Sequence, residues 1–289
     1  MDDAGPRHKV LLLGATGGIG RHALARLLEH GVETTVIVRS ADRLQDTCTT
    51  ARRAAGDQLL TVVVEPRGHL ALDAAAWQEH VRGCDAVISC LGHNLSFRGI
   101  WGAPRRLCAE TTRVVCEAVR ALAPPAPVKY IVVNTEGVDR LDGADPPRGW
   151  GERLVLWMLQ KVLPPHADNM ATLAYLTTET LPAGKNPHVS FCAVRPSNLT
   201  DSGDGATSAY TLHATLQNGI FNAGETRRAN VGAFMADLVS NPDLWAAWAD
   251  TFPHILDDEV SAAAAEGGTC NNAVAPAADE EGDGVVVST

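Results

Sequence analysis

One short stretch near the amino end constrains this chain more than any other: Gly14-Ala15-Thr16-Gly17-Gly18-Ile19-Gly20. It directly follows the apolar run Val10–Leu13 and opens a helical pattern from Ile19 to His30. In that pattern Leu24, Leu27 and Leu28 share one stripe, and Gly31 stands where glycine is favoured just past a helix end. A second apolar run, Thr34–Val38, closes the unit. Glycines at this spacing let the backbone turn tightly and approach a pyrophosphate. The phosphate charge then meets the free N–H groups and positive dipole end of the helix. Glycines also serve ordinary turns, and it is the flanking strand–helix–strand context that makes the stretch specific.

The same alternation continues. Leu59–Val64, Ala86–Cys90, Val128–Val133 and Val189–Val194 are brief, apolar and bounded by breakers, and they read as buried strands. Helical patterns cover Leu70–Val81 and Arg105–Leu122, then Trp150–Val162 and Asp168–Leu181 on either side of Pro164-Pro165. Asp139–Gly149 reads as a loop, Tyr210–Ile220 as a strand or irregular segment, Val231–Val239 as a helix and Pro253–Leu256 as a short last strand. Strands buried on both faces and separated by helices predict an α/β fold, a doubly wound parallel sheet with helices on both faces. Residues 1–256 are expected to form one such domain. Residues 257–289, rich in Ala, Gly and acids, are expected to be a disordered tail.

Arg39 ends the second strand, nineteen positions after Gly20. NAD-binding proteins usually place an acid there for the ribose 2′-hydroxyl. An arginine instead offers a planar fork of donors to a 2′-phosphate, so NADP(H) is the expected cofactor, with Ser40 and Arg43 as further contacts. Glu65, after the third strand, is placed near the adenine, and Leu91, Gly92 and His93, after the fourth, where backbone passes close to the cofactor.

The segments Leu-Leu-Gly-Ala-Thr-Gly-Gly-Ile-Gly, Val-Ile-Val-Arg-Ser, Asp-Ala-Val-Ile-Ser-Cys-Leu-Gly, Tyr-Ile-Val-Val-Asn-Thr-Glu-Gly-Val and Ala-Val-Arg-Pro-Ser-Asn-Leu resemble the atypical short-chain dehydrogenases. Within them the likeness is to the NAD(P)H-binding, NmrA-like and flavin/biliverdin reductase branch, from about Lys9 to Leu256. The resemblance implies a seven- or eight-stranded Rossmann sheet, with substrate held over the nicotinamide by the C-terminal portion. Thr226 to Met235 looks like the late cofactor-side helix of the group. One departure matters. The Tyr-x-x-x-Lys pair of typical members is absent, because the residues four positions after the three tyrosines are Asn134, Glu179 and Ala214.

Thr135, at the end of the fifth strand, is the first candidate for a hydroxyl near the nicotinamide, with a local backbone cap as its structural alternative, and Asn134 beside it is expected to contact the cofactor. His166 and Asn169 lie where the active-site segment of the group would pass, His166 as a proton donor near neutral pH. Asp168 between them reads equally as the N-cap of its own helix. Arg195-Pro196-Ser197 would help to wall a substrate pocket. The ten histidines and seven cysteines show no metal-ligand spacing. Reduced thiols and the lack of a signal-like or membrane-spanning run point to a cytoplasmic protein. A net charge of −10 argues against a nucleic-acid partner, and no membrane partner is expected either. The function that follows is an NADP(H)-dependent oxidoreductase for a small organic substrate. The alternative is a non-catalytic NADP(H)-binding redox sensor that binds a protein partner.

Overall fold

The computed structural model describes residues 8–44, 58–93, 97–181, 185–201, 206–258 and 284–287. Its strands are β1 (Lys9–Leu13), β2 (Glu33–Val38), β3 (Leu60–Val64), β4 (Ala86–Ser89), β5 (Val128–Val133), β6 (Val189–Pro196), β7 (Asn198–Thr200), β8 (Tyr210–His213), β9 (Glu225–Arg227), β10 (His254–Asp257) and β11 (Gly284–Val287). Its helices are α1 (Gly20–Glu29), α2 (Ala74–Val81), α3 (Phe97–Trp101), α4 (Leu107–Leu122), α5 (Trp150–Val162), α6 (Pro164–Tyr175), α7 (Arg228–Ser240) and α8 (Pro242–Trp248).

Among the described residues nine strands form one sheet in the order β3-β2-β1-β4-β5-β6-β10-β8-β11. The first seven in that order are parallel, β8 runs antiparallel to β10, and β11 runs antiparallel to β8. β11 lies within the segment read from composition as tail. β7 and β9 form a separate parallel pair.

Side chains alternate across a strand, so a sheet covered on both faces needs apolar residues at every position. β1 shows this directly. Val10 and Leu12 enter a core with Leu24 and Leu27 of α1 and Phe234 of α7. Leu11 and Leu13 enter the opposite core with Trp77 of α2, Val115 of α4 and Leu173 of α6. The strand order reverses between β1 and β4, and crevices for ligands open at the carboxyl ends of strands at such a point.

The helix expected to start at Asp168 begins four residues earlier. Pro164 and Pro165 occupy its first turn, where proline's preset φ suits a helix and its missing N–H removes nothing the helix uses. The far end passes from α6 into a wider turn of π-helix, Leu176–Thr180.

Candidate functional site

The glycine loop is built as its spacing requires. Gly14 has a φ of +82°, and a Cβ there would meet the Cys90 carbonyl oxygen at 2.7 Å. A Cβ on Gly20 would stand 2.1 Å from the Gly14 oxygen, so only glycine permits the turn to close on itself. The Gly17 N–H closes it on the Gly14 carbonyl at 2.9 Å. Ala15 and Thr16 form its rising arm; Ala15 is buried. The amino end of α1 has no side-chain cap on Ile19 and no acid in its first turn. The Gly18 and Ile19 N–H groups meet no backbone acceptor among the described residues. An uncapped helix start over a glycine cradle fits a dinucleotide pyrophosphate.

Two residues over this loop carried no individual signal in the sequence. Gly18 lacks a Cβ where the Arg228 side chain passes, its Cδ being 2.6 Å from the position a Cβ would take. Arg228 heads α7 and donates from Nη1 to Asp201 Oδ2 at 2.7 Å, while Arg21 reaches the other Asp201 oxygen at 3.3 Å. The segment around Arg228 stood out through the resemblance, whereas nothing in the sequence marked Asp201.

Arg39 is exposed at the end of β2 and makes no ion pair or hydrogen bond with another described residue. Its Cδ lies 4.0 Å from a Cβ position on Gly68, which has a φ of +89°. Ser40 donates to Asp42 at 3.3 Å, Arg43 is exposed, and Glu65 accepts from the backbone and guanidinium of Arg67. Gly92 is exposed with open space where a Cβ would be, and Leu91 is half-buried beside it.

His93 points inward. Its Nε2 is 2.8 Å from Asp168 Oδ2, in a pair almost closed to solvent. Asp168 also accepts the Cys108 N–H at 2.8 Å and the Ala109 N–H at 2.9 Å. It therefore caps α4, whose own N-cap, Arg106, offers no side-chain bond. That corrects its reading as the cap of its own helix, in which it sits beyond the first turn. His93, Cys108 and Asp168 each bring one donor atom within 4.8 Å of the others, a grouping no spacing announced. Burial, reinforced by Asp168, holds the Cys108 thiol well above its ordinary pKa and so protonated.

Asn134 spends its side chain on structure, its Oδ1 accepting the Thr135 N–H and its Nδ2 donating to the Asn169 carbonyl at 3.0 Å. This ties the end of β5 to α6. Asn169 thus contributes its backbone there, and its side chain has no hydrogen-bond partner among the described residues. Thr135 Oγ1 accepts the Gly137 N–H at 3.2 Å. Thr135 and His166 converge on Gly137: its missing Cβ would lie 3.7 Å from Thr135 Oγ1 and 3.8 Å from His166 Nδ1. A cavity of about 340 Å³ opens there, lined by Gly137, Arg153, Leu156, Trp157, His166 and Met170. Burial, then the nearby Arg148 charge, lowers the His166 pKa against an opposing pull from Asp139, keeping the ring neutral near pH 7.

Arg195 does not wall this cavity. It is fully buried and paired with Asp145, donating also to the Phe252 carbonyl. Ser197 joins another sealed cluster with Glu136 and His254. His254 Nδ1 accepts the Gln217 N–H, so the proton of the neutral ring sits on Nε2, facing both Ser197 and Glu136. Hydroxyl and carboxylate share one ring nitrogen, so this is no nucleophile relay, which needs them on opposite nitrogens. It ties together the ends of β5, β6 and β10.

No curated protein matches the chain. ChuY, an anaerobillin reductase of Escherichia coli O157:H7, shares its fold with a TM-score of 0.54 at 20% identity, over 88% of this chain and 100% of that one. The oxidoreductase ylbE of Lactococcus lactis gives 0.58 at 15%, over 87% and 91%. Gre2 of Candida albicans, in complex with NADPH, gives 0.52 at 13%, over 82% and 75%. No helix among the described residues is long and apolar enough to cross a membrane. Residues 14–242 match the family described as NAD(P)H-binding, and the chain belongs to that family, in agreement with the resemblance its motifs carry.

Proposed function

We propose that the protein is an NADP(H)-dependent oxidoreductase acting on a small organic carbonyl or conjugated substrate. The observation that carries the cofactor choice is Arg39, an exposed guanidinium at the end of β2 with no acid in the position that would select NAD. The structurally similar Gre2, solved with NADPH, and the reductases among the similar structures support the reading.

The residues of the chain divide the work. The loop 14–20 and the start of α1 receive the pyrophosphate, and Arg39, with Ser40 and Arg43 nearby, the 2′-phosphate. When bound, the cofactor supplies the hydride, and the protein supplies orientation and electrostatics. His166 lines the cavity at the carboxyl end of β5 and is the group that contacts substrate there, whereas Thr135 is not a lining residue and supports Gly137 by accepting its N–H. Neutral His166 keeps a ring N–H that donates to a substrate oxygen, standing in for the missing tyrosine.

Calorimetric titration with NADPH and NADH tests the cofactor assignment. Arg39→Ala is expected to weaken NADPH by about 1–3 kcal/mol, the scale of a charge-assisted bond, and leave NADH unchanged. Equal losses for both would remove the 2′-phosphate assignment. Stopped-flow oxidation of NADPH against quinones, enals, flavins and ketones tests the reaction, and inertness across the panel would overturn it.

A further inference from the structure

Helix α5 is apolar nearly all round. Val155, Leu156 and Leu159 are half-buried toward the protein, with buried Glu152 among them. On the opposite side Trp150, Leu154, Trp157, Met158 and Val162 form a second stripe at helical spacing, and it faces solvent. Trp150 is 84% exposed, Trp157 58% and Val162 59%. A helix apolar on both faces is ordinarily covered on both. Five large apolar side chains on one helix face exceed scattered single residues.

Charge indicates what covers it. The exposed charges of α5 are Arg153 and Lys161, both cationic. Its one acid, Glu152, is turned inward onto Arg148 and the Ile220 N–H. In the neighbouring loop Asp142 pairs with Arg140, while Arg148 is shared between Glu152 and Asp139, which leaves one negative charge there against the two cations of the helix face. A cationic, tryptophan-bearing strip therefore stands out on a chain of net charge −10. Two copies docking through it would add four positive charges to one interface with no exposed acid of the helix to answer them. Anionic lipid headgroups answer them directly. Tryptophans favour the bilayer boundary, and lysine and arginine reach up from a helix lying in it while their stems stay apolar.

We propose that α5 is an interfacial helix that seats the protein on an anionic lipid surface. Its 13 residues span about 20 Å and lie along the boundary rather than through it. The expectation of no membrane partner rested on the lack of a spanning segment, which a helix of this kind does not need. The proposal does not depend on the cofactor or the reaction assigned above, and Arg153 and Trp157, which also line the cavity beside His166, place the mouth of that cavity next to the lipid-facing stripe.

The full chain is floated with vesicles of phosphatidylcholine alone and of phosphatidylcholine with about one-third phosphatidylserine. It is expected to float with the anionic vesicles and not with the neutral ones, with a blue shift of tryptophan emission. A Trp150→Ser, Met158→Glu double variant, altering side chains outside the cavity lining, is expected to lower the bound fraction about tenfold. Its thermal midpoint should match the parent protein. Failure to float with either vesicle would overturn the proposal. So would equal flotation of the double variant, or a dimer by light scattering that the double variant converts to monomer.

Discussion

His69 shows what a buried titratable side chain does to this fold. Its Nε2 lies 2.8 Å from Thr111 Oγ1, whose own proton goes to the Leu107 carbonyl, so His69 is the donor. Burial, then the Arg39 charge, pushes its pKa down to about 4 from an unfolded value of about 6.5. Between those values the unfolded chain binds a proton that the folded chain does not, so stability falls as pH drops through that window. The loss attributable to His69 should approach about 3 kcal/mol by pH 4. Urea unfolding over a pH series measures it, and His69→Leu should remove that part of the slope. Nothing in the sequence marks His69, because its partner Thr111 is forty-two positions away. The placements of Arg39 and the glycines were legible because they depend on a strand end and a local turn. His93, Asn134 and Asp168 were legible as positions but not as contacts. Each uses its side chain on a partner that only the packing of α4, α6 and the strand ends supplies.

At the scale of elements, the loop 139–149 is held by the buried ion pair of Arg195, on β6, with Asp145. Burial works against the Asp145 charge, but Arg195 and the N–H groups of Arg140 and Leu216 outweigh it and hold the carboxyl below its ordinary pKa. This contribution is present at neutral pH and is lost as pH falls below the ordinary carboxylate range and through the lowered value. Asp145→Ala strands the Arg195 charge in the core and should cost about 3–5 kcal/mol in urea unfolding. Adding Arg195→Met should recover much of it, and no recovery would show that the guanidinium matters through its carbonyl contacts instead. The central strands β1 and β4 were readable because they are buried on both faces and so almost continuously apolar, and the edge strand β3, only half-buried, was readable from its run of β-branched residues between breakers. The strands β7 and β9 have three residues each, too few for a period. The seven-residue helix α8 was missed for the same reason. The start of α6 was misplaced because two prolines were read as a break, when the first turn of a helix is the place that tolerates them.

For the whole molecule, the parallel pairing of β1 to β6 followed from strand–helix alternation, since parallel neighbours need crossovers, but their order β3-β2-β1-β4-β5-β6 did not. The edge formed by β10, β8 and β11 did not follow, because antiparallel additions obey no such rule. Asp168 has a consequence at this scale for how fast the molecule opens. It joins segments 75, 60 and 59 positions away, at His93, Cys108 and Ala109. Contacts across such separations close large loops and form after local helix and strand pairing. A bond made late is absent from the transition state, so its loss appears in the unfolding rate. Asp168→Ala, if it costs about 2 kcal/mol, should speed unfolding roughly thirtyfold and leave refolding almost unchanged in denaturant-jump kinetics. A slowed refolding limb would instead place this carboxylate in the nucleus. With refolding unaffected, Asp168 is a clasp fastened last, setting how long the folded molecule lasts rather than how quickly it forms.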